Sequence, residues 1–193
     1  MALQKEDYPI SVEFDFEKGE FAPFQSKAER KVSDLAMMFA DSEAVAALVK
    51  NGDPLVYEIF YYGFTTSVSD MALGVTRIQP GTIGGEYHMT KGHFHEAHDQ
   101  PEIYFCVKGE GYLLMETREG EFRADKWIKG TISHIPPMWA HRVVNTGNEP
   151  LVFVASYHLA AGHIYEPVVE KGFAKRVIDE NGKSVFKENL QRK

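Results

Sequence analysis

Four side chains decide what chemistry this chain offers. Gly92-His93-Phe94-His95 carries two imidazoles at i and i+2, and Glu102 follows after six intervening residues. His141 comes later, behind a stretch rich in turn residues that includes Gly130 and Pro136-Pro137. On a strand, residues two apart point to the same face, so His93 and His95 can share one ion without bending the backbone. Glu102 opens the apolar run Ile103-Tyr104-Phe105-Cys106-Val107, and a hairpin between the two runs would carry its carboxylate to the same interior. A turn after Pro137 delivers His141 onto a further strand. Three histidines and one glutamate form a mixed nitrogen and oxygen donor set suited to one Fe(II), Mn, Co, Ni or Zn ion. A His-x-His pair alone is a common accident. The glutamate and third histidine, arriving in order and framed by turn residues, lift the set above that.

The elements that must position these residues are mostly strands. Short apolar or alternating runs at 55–62, 71–79, 84–90, 102–107, 111–117, 121–128, 132–135, 141–146 and 150–158 are punctuated by Gly, Pro, Asn and Asp. That spacing predicts an antiparallel sandwich or barrel. Before it, residues 1–25 look extended, with alternation over Ile10–Phe14 and a turn at Lys18-Gly19. Residues 27–51 are the best helical stretch: Leu35, Met38 and Phe39 follow helical spacing, and Asp41 or Ser42 can cap a second helix through Val45, Leu48 and Val49, stopped by Asn51-Gly52. In the tail, Asn181-Gly182 between Arg176-Val177-Ile178 and Ser184-Val185-Phe186 predicts a terminal hairpin. The layout is one domain over 1–193: an N-terminal arm with helix (1–52), a β-barrel (53–168) and a C-terminal β segment (169–193).

Composition narrows the classes. The net charge of −7 argues against a general nucleic-acid binder, which needs clustered Lys and Arg, but leaves room for a small phosphorylated substrate. The lone Cys106 permits no internal disulfide and reads as a packed core thiol. No apolar stretch approaches the roughly 20 residues of a membrane helix, and MALQKEDYPI lacks a signal-peptide pattern. The expectation is a cytoplasmic protein. His88, His98, His134 and His158 receive no role; His98, in the Glu96–Pro101 loop, is expected to face solvent.

These residues also carry a resemblance. His93-x-His95-x6-Glu102-x6-Gly109 and Gly130-x5-Pro136-x-Met138-x2-His141-x3-Asn145 resemble the two cupin motifs, with Met138 standing where the second motif has glycine. More narrowly, Thr90-Lys91-Gly92-His93-Phe94-His95, Val56-Tyr57-Glu58, Pro136–Arg142, and Tyr157 with Ala161-Gly162-His163-Ile164-Tyr165 resemble the cupin-type phosphoglucose isomerases. The likeness runs on into Glu170-Lys171-Gly172-Phe173. It implies a mainly β cupin barrel or jelly roll, and reversible isomerisation of glucose 6-phosphate and fructose 6-phosphate. It implies one divalent metal per subunit, Fe(II) first, held by His93, His95, Glu102 and His141. Tyr57, Thr76, Thr90, Gly92, Tyr104, Tyr157, His163 and Tyr165 would contact the sugar phosphate. Glu102, a carboxylate beside a substrate-binding metal, would be the catalytic base on an enediol route, the favoured one, or mainly a ligand and orienter if a hydride shifts directly between C2 and C1. The implied assembly is a homodimer, with no nucleic-acid or membrane partner. The rivals are an Fe(II) dioxygenase on the same ligand set and a non-catalytic sugar-binding cupin.

Overall fold

The structure, a computed structural model, describes residues 8–64 and 70–192. At the N-terminal end β1 (Glu13–Asp15) and β2 (Glu20–Ala22) form a small hairpin. The Asp15 carboxylate accepts from the Glu17 and Lys18 amides, and Gly19 takes the positive φ that the turn requires. The helix expected from residue 27 does not begin there. Ser26–Lys31 is β3, an edge strand on β4 (Leu55–Gly63). Its sequence, SKAERK, has no apolar stripe with which a helix could pack, while the free edge of β4 satisfies its backbone. A 3-10 turn at Ser33–Met38 then buries Leu35 and Met38, and α1 (Ser42–Lys50) follows. Asp41 caps α1 by accepting from the Ala44 amide at 2.8 Å, as its type and position predict.

The remaining strands are β5 (Met71–Ile78), β6 (Thr82–Ile83), β7 (Glu86–Tyr87), β8 (Glu102–Lys108), β9 (Glu110–Glu116), β10 (Phe122–Ile128), β11 (Ile132–Ile135), β12 (Ala140–Asn145) and β13 (Leu151–His158). A short α2 (Glu166–Lys171) leads into β14 (Lys175–Glu180) and β15 (Lys183–Glu188). One six-stranded antiparallel sheet runs β11-β8-β13-β5-β4-β3; a second runs β10-β9-β12. The β14–β15 hairpin, turning at Asn181-Gly182 as predicted, joins β7 and β6 in a third. The architecture is the mainly antiparallel β fold that the spacing of the runs predicts. Between its walls lie Leu113, Val143, Phe153 and Trp127, all buried, the indole donating to Ser133 Oγ at 2.9 Å.

The expected strand at 84–90 shrinks to two residues, and no hairpin joins 93–95 to β8. Residues 88–94 instead run beside β12. Met89 bridges Val144, His93 bridges His141, and the Thr90 amide donates to the Val143 carbonyl while its Oγ1 accepts from the Val143 amide. Two ligand-bearing segments far apart in sequence thus meet backbone to backbone. The free edge of β12 offered a longer run of unpaired groups than β8, whose two edges are already taken by β11 and β13.

Candidate active site

One face of the six-stranded sheet makes the floor of the site. Alternation sends Glu102, Tyr104 and Cys106 inward from β8, while Ile103 and Phe105 face out. Register then lines up neighbours across the sheet. Glu102 lies opposite Tyr157, Tyr104 opposite Ala155, Ala155 opposite Gly74, and Gly74 opposite Tyr61. Thr76 sits between Phe153 and Ile59 in the same way. The small residues Gly74 and Ala155 leave a hollow in the middle of this floor. The facing wall is the segment Thr90–His93 with His141, and His163 and Tyr165 stand on the outer side. The hollow is a cavity of about 70 Å³, and all eight sequence-predicted substrate residues line it: Tyr57, Thr76, Thr90, Gly92, Tyr104, Tyr157, His163 and Tyr165.

The four predicted metal-binding residues meet beside it. One ligand atom from each of His93, His95, Glu102 and His141 lies within 4.8 Å of the others. Glu102 Oε2 is 3.2 Å from His95 Nε2 and 3.0 Å from His141 Nε2. The latter contact is off the line of an N–H···O bond, so His141 Nε2, like His93 Nε2, is buried without a hydrogen-bond partner. Behind the ring, His95 Nδ1 meets the Gln100 carbonyl at 2.7 Å and His141 Nδ1 meets the Trp139 carbonyl at 3.2 Å. A carbonyl can only accept, so both Nδ1 atoms carry the proton and both Nε2 lone pairs face the cluster. Buried imidazole nitrogens left unpaired cost free energy unless something binds them. The donor set fits a divalent ion.

Electrostatics agree with that fit. Burial, then the neighbouring His141, His163 and His95, holds His93 well below the usual histidine range, so it stays neutral and able to ligate. Burial pushes His163 down as well, and it packs against His93 with ring centroids 4.3 Å apart. For Glu102, burial favours the neutral acid, but the close approach of the His141 and His95 rings to its Oε2 outweighs burial and brings the group to about 2. It is a carboxylate at neutral pH. Burial, then the charge of Glu102, raises Tyr104 well above the phenol range, and burial raises Tyr57 to about 12. Both phenols keep their protons and can donate.

Thr90 Oγ1 accepts from the Val143 amide at 3.1 Å, and the Tyr57 hydroxyl accepts from the Lys91 amide at 3.3 Å. Each hydroxyl hydrogen is then left for another acceptor. Gly92 has φ +75°, and a Cβ there would meet the His141 carbonyl at 3.0 Å and Arg142 Cβ at 3.1 Å. Glycine is needed for this close passage of the two ligand-bearing segments. Sequence reasoning missed Lys91, whose Nζ stands 4.5 Å over the Tyr165 ring on the cavity wall. Its place between Thr90 and Gly92 was the available signal. Tyr61 was missed too; its period-2 relation to Tyr57 on β4 marked it. Of the unassigned histidines, His98 and His134 are exposed, and His88 is buried against the Gln79 carbonyl at 3.1 Å, away from the cavity. Cys106 is fully buried, as expected, and burial pushes its thiol up to about 11.

Comparison with known proteins adds the chain's relatives. The glucose-6-phosphate isomerase family profile matches residues 29–192. A glucose-6-phosphate isomerase of Thermococcus litoralis is 44% identical over 181 residues, 94% of this chain and 95% of that protein. One from Thermococcus kodakarensis is 45% identical over 177 residues, 90% of this chain and 91% of that one. Among solved structures, an oxalate decarboxylase of Bacillus subtilis aligns at TM-score 0.45 and 20% identity over 56% of this chain and 27% of its own, a likeness too loose to bear on function.

Proposed function

The chain belongs to the glucose-6-phosphate isomerase family, and from that premise we propose how its residues interconvert glucose 6-phosphate and fructose 6-phosphate. The observation that carries the reading is one cavity lined by three of the four ligand residues and all eight sugar-phosphate residues. His93, His95, Glu102 and His141 hold one divalent ion, Fe(II) foremost, with Mn, Co, Ni or Zn as substitutes on donor chemistry. Such an ion supplies Lewis-acid polarisation of the substrate carbonyl, which acidifies the C2 hydrogen enough for so weak a base as Glu102. Thr90, Tyr57 and Lys91 direct hydrogen-bond donors or positive charge at the phosphate, and Gly92 lets the backbone approach it. Tyr104, Tyr157, Thr76, His163 and Tyr165 surround the sugar, their hydroxyls and imidazole meeting its hydroxyls and their rings its apolar face.

Glu102 takes the proton from C2 of the open-chain aldose and returns it to C1, while a hydroxyl proton moves from O2 to O1. The net change is ketose for aldose, with a cis-enediol between. Ligand pockets usually enclose roughly 300 Å³ or more, so entry of a hexose phosphate into a 70 Å³ hollow requires His163 and Tyr165 to part. Their rings stack at 10° and 5.9 Å on either side of Ile164, whose backbone is bridged to Phe94, so the parting falls to the side chains rather than the backbone. Exposed Phe105 and Ile132, directly opposed on β8 and β11, give an apolar surface for the second subunit of a homodimer. Among the described residues no helix is long and apolar enough to cross a membrane, which accords with the cytoplasmic site proposed for this enzyme.

Glu102→Gln tests the mechanism. Turnover per bound metal is expected to fall on the order of 100-fold, the scale for a positioned general base. Incorporation of deuterium from deuterium oxide at C1 of the product falls with it. Near-normal turnover per metal, with no solvent exchange in the wild type, would instead mean direct hydrogen transfer between C2 and C1 and leave Glu102 a ligand only.

A further inference from the structure

A second cavity, of about 630 Å³, lies on the other side of the β12 segment and shares no lining residue with the first. It is bounded by the 3-10 turn, α2 and the start of β14. Its cations are Arg142, Lys171, Lys175 and Arg176; its acids are Glu86 and Glu170. Arg176 is fully engaged, donating to Glu86 at 2.7 Å, to the Met38 carbonyl at 2.8 Å and to Asn189 at 2.9 Å.

Arg142 is different. It is 5% exposed, yet no carboxylate of the described residues pairs with it. The nearby acids are taken: Glu86 by Arg176, and Glu116 by Arg192. Its guanidinium donates to the Lys91 carbonyl at 2.7 Å, touches the soft acceptor Met89 Sδ at 3.2 Å and stacks 4.6 Å from the Phe173 ring. Its Nε is buried with no partner. A buried guanidinium without a counter-ion is expensive, and buried charges are ordinarily paired. Glu86 and Glu116 act on it only through space, so no carboxylate hydrogen-bonds its fork.

We propose that this cavity binds a small organic phosphate, with Arg142, Lys171 and Lys175 facing its charged group. Arginine's forked donors and two flanking ammonium groups suit a doubly charged phosphate. The apolar wall of Val169, Phe173 and the 79% exposed Met37 suits an organic body attached to it. The volume exceeds what a bare ion fills.

The test is calorimetry with inorganic phosphate on metal-loaded protein. Arg142 is buried beside a metal ligand, so its loss could unfold the chain; Lys171→Glu with Lys175→Glu is the variant of choice, since Lys171 is exposed and Lys175 meets an exposed Glu188 and the Phe122 ring. The wild type is expected to bind two phosphates per chain, one displaced by fructose 6-phosphate and one not. The double variant should weaken the undisplaced phosphate by about tenfold or more, the scale for lost charge-assisted contacts. Its turnover and its first phosphate should be unchanged. Absence of any phosphate that fructose 6-phosphate leaves bound, or an affinity for it that the double variant leaves intact, overturns the proposal. If the isomerase reading fails, only this one phosphate binds, still undisplaced by fructose 6-phosphate and still weakened by the double variant, so the two failures are told apart.

Discussion

Thr90 ties three levels of the molecule together through one hydroxyl. Its backbone pairs with Val143, its Oγ1 accepts from the same residue, and its hydrogen is thereby turned toward the cavity. Thr90→Val removes that donor while keeping the β-branched shape, so the barrel should stand. The Michaelis constant for fructose 6-phosphate is expected to rise about tenfold, as for one lost hydrogen bond to a charged group. Binding of an unphosphorylated fructose analogue should change little, because the donor matters only when phosphate is present. Equal effects on both ligands would remove Thr90 from the phosphate contacts.

Among the elements, the turn between β11 and β12 carries a local conflict. Met138 occupies the position where the motif has glycine, and it adopts φ +72° with its side chain 45% exposed. A left-handed backbone costs an L-residue roughly 1–2 kcal/mol, while glycine in the unfolded chain loses roughly 0.5–1 kcal/mol of that advantage through entropy. Met138→Gly is therefore expected to stabilise the protein by about 0.5–1 kcal/mol, read as a rise of about 1–4 °C in Tm by calorimetry. A fall in Tm would mean that the methionine side chain contributes packing that outweighs its strained backbone. The neighbouring ligand His141 is held by its bridge to His93 and by the Trp139 carbonyl, so metal content should not follow the change.

For the whole molecule, core and site are separable. Trp127, Phe60, Leu113 and Leu114 are among the barrel's largest fully buried side chains, and all are apolar groups that no metal need hold. Stripping the metal with a chelator is expected to abolish turnover and leave far-ultraviolet circular dichroism unchanged. Thermal stability should drop by the linkage of a tightly bound ligand, about 2.7 kcal/mol if the ion had been present at 100 times its Kd. Adding each divalent metal back in turn should restore turnover in an order that identifies the preferred ion. Loss of strand signal on chelation would show that the ion holds the barrel together, and the site would then be structural.

Much of this was readable from the chain alone, wherever the deciding physics is local. Period-2 alternation on β8 turns Glu102 and Tyr104 inward whatever their partners, Asp41 caps a helix through an amide three residues on, and Asn181-Gly182 closes its hairpin within two residues. The donor set His93, His95, Glu102 and His141 could be named from residue type and order. Who pairs with whom could not. Residues 27–31 read as the start of a helix and become strand because the edge of β4 needs covering, and His93 lies against His141 because β12 had a free edge and β8 had none. Lys91 on the cavity wall and the unpaired charge of Arg142 likewise follow from that pairing, which brings residues 89–93 and 141–144 side by side. Backbone groups must all find partners, and the choice among partners distant in sequence is made only when every buried face competes for cover at once.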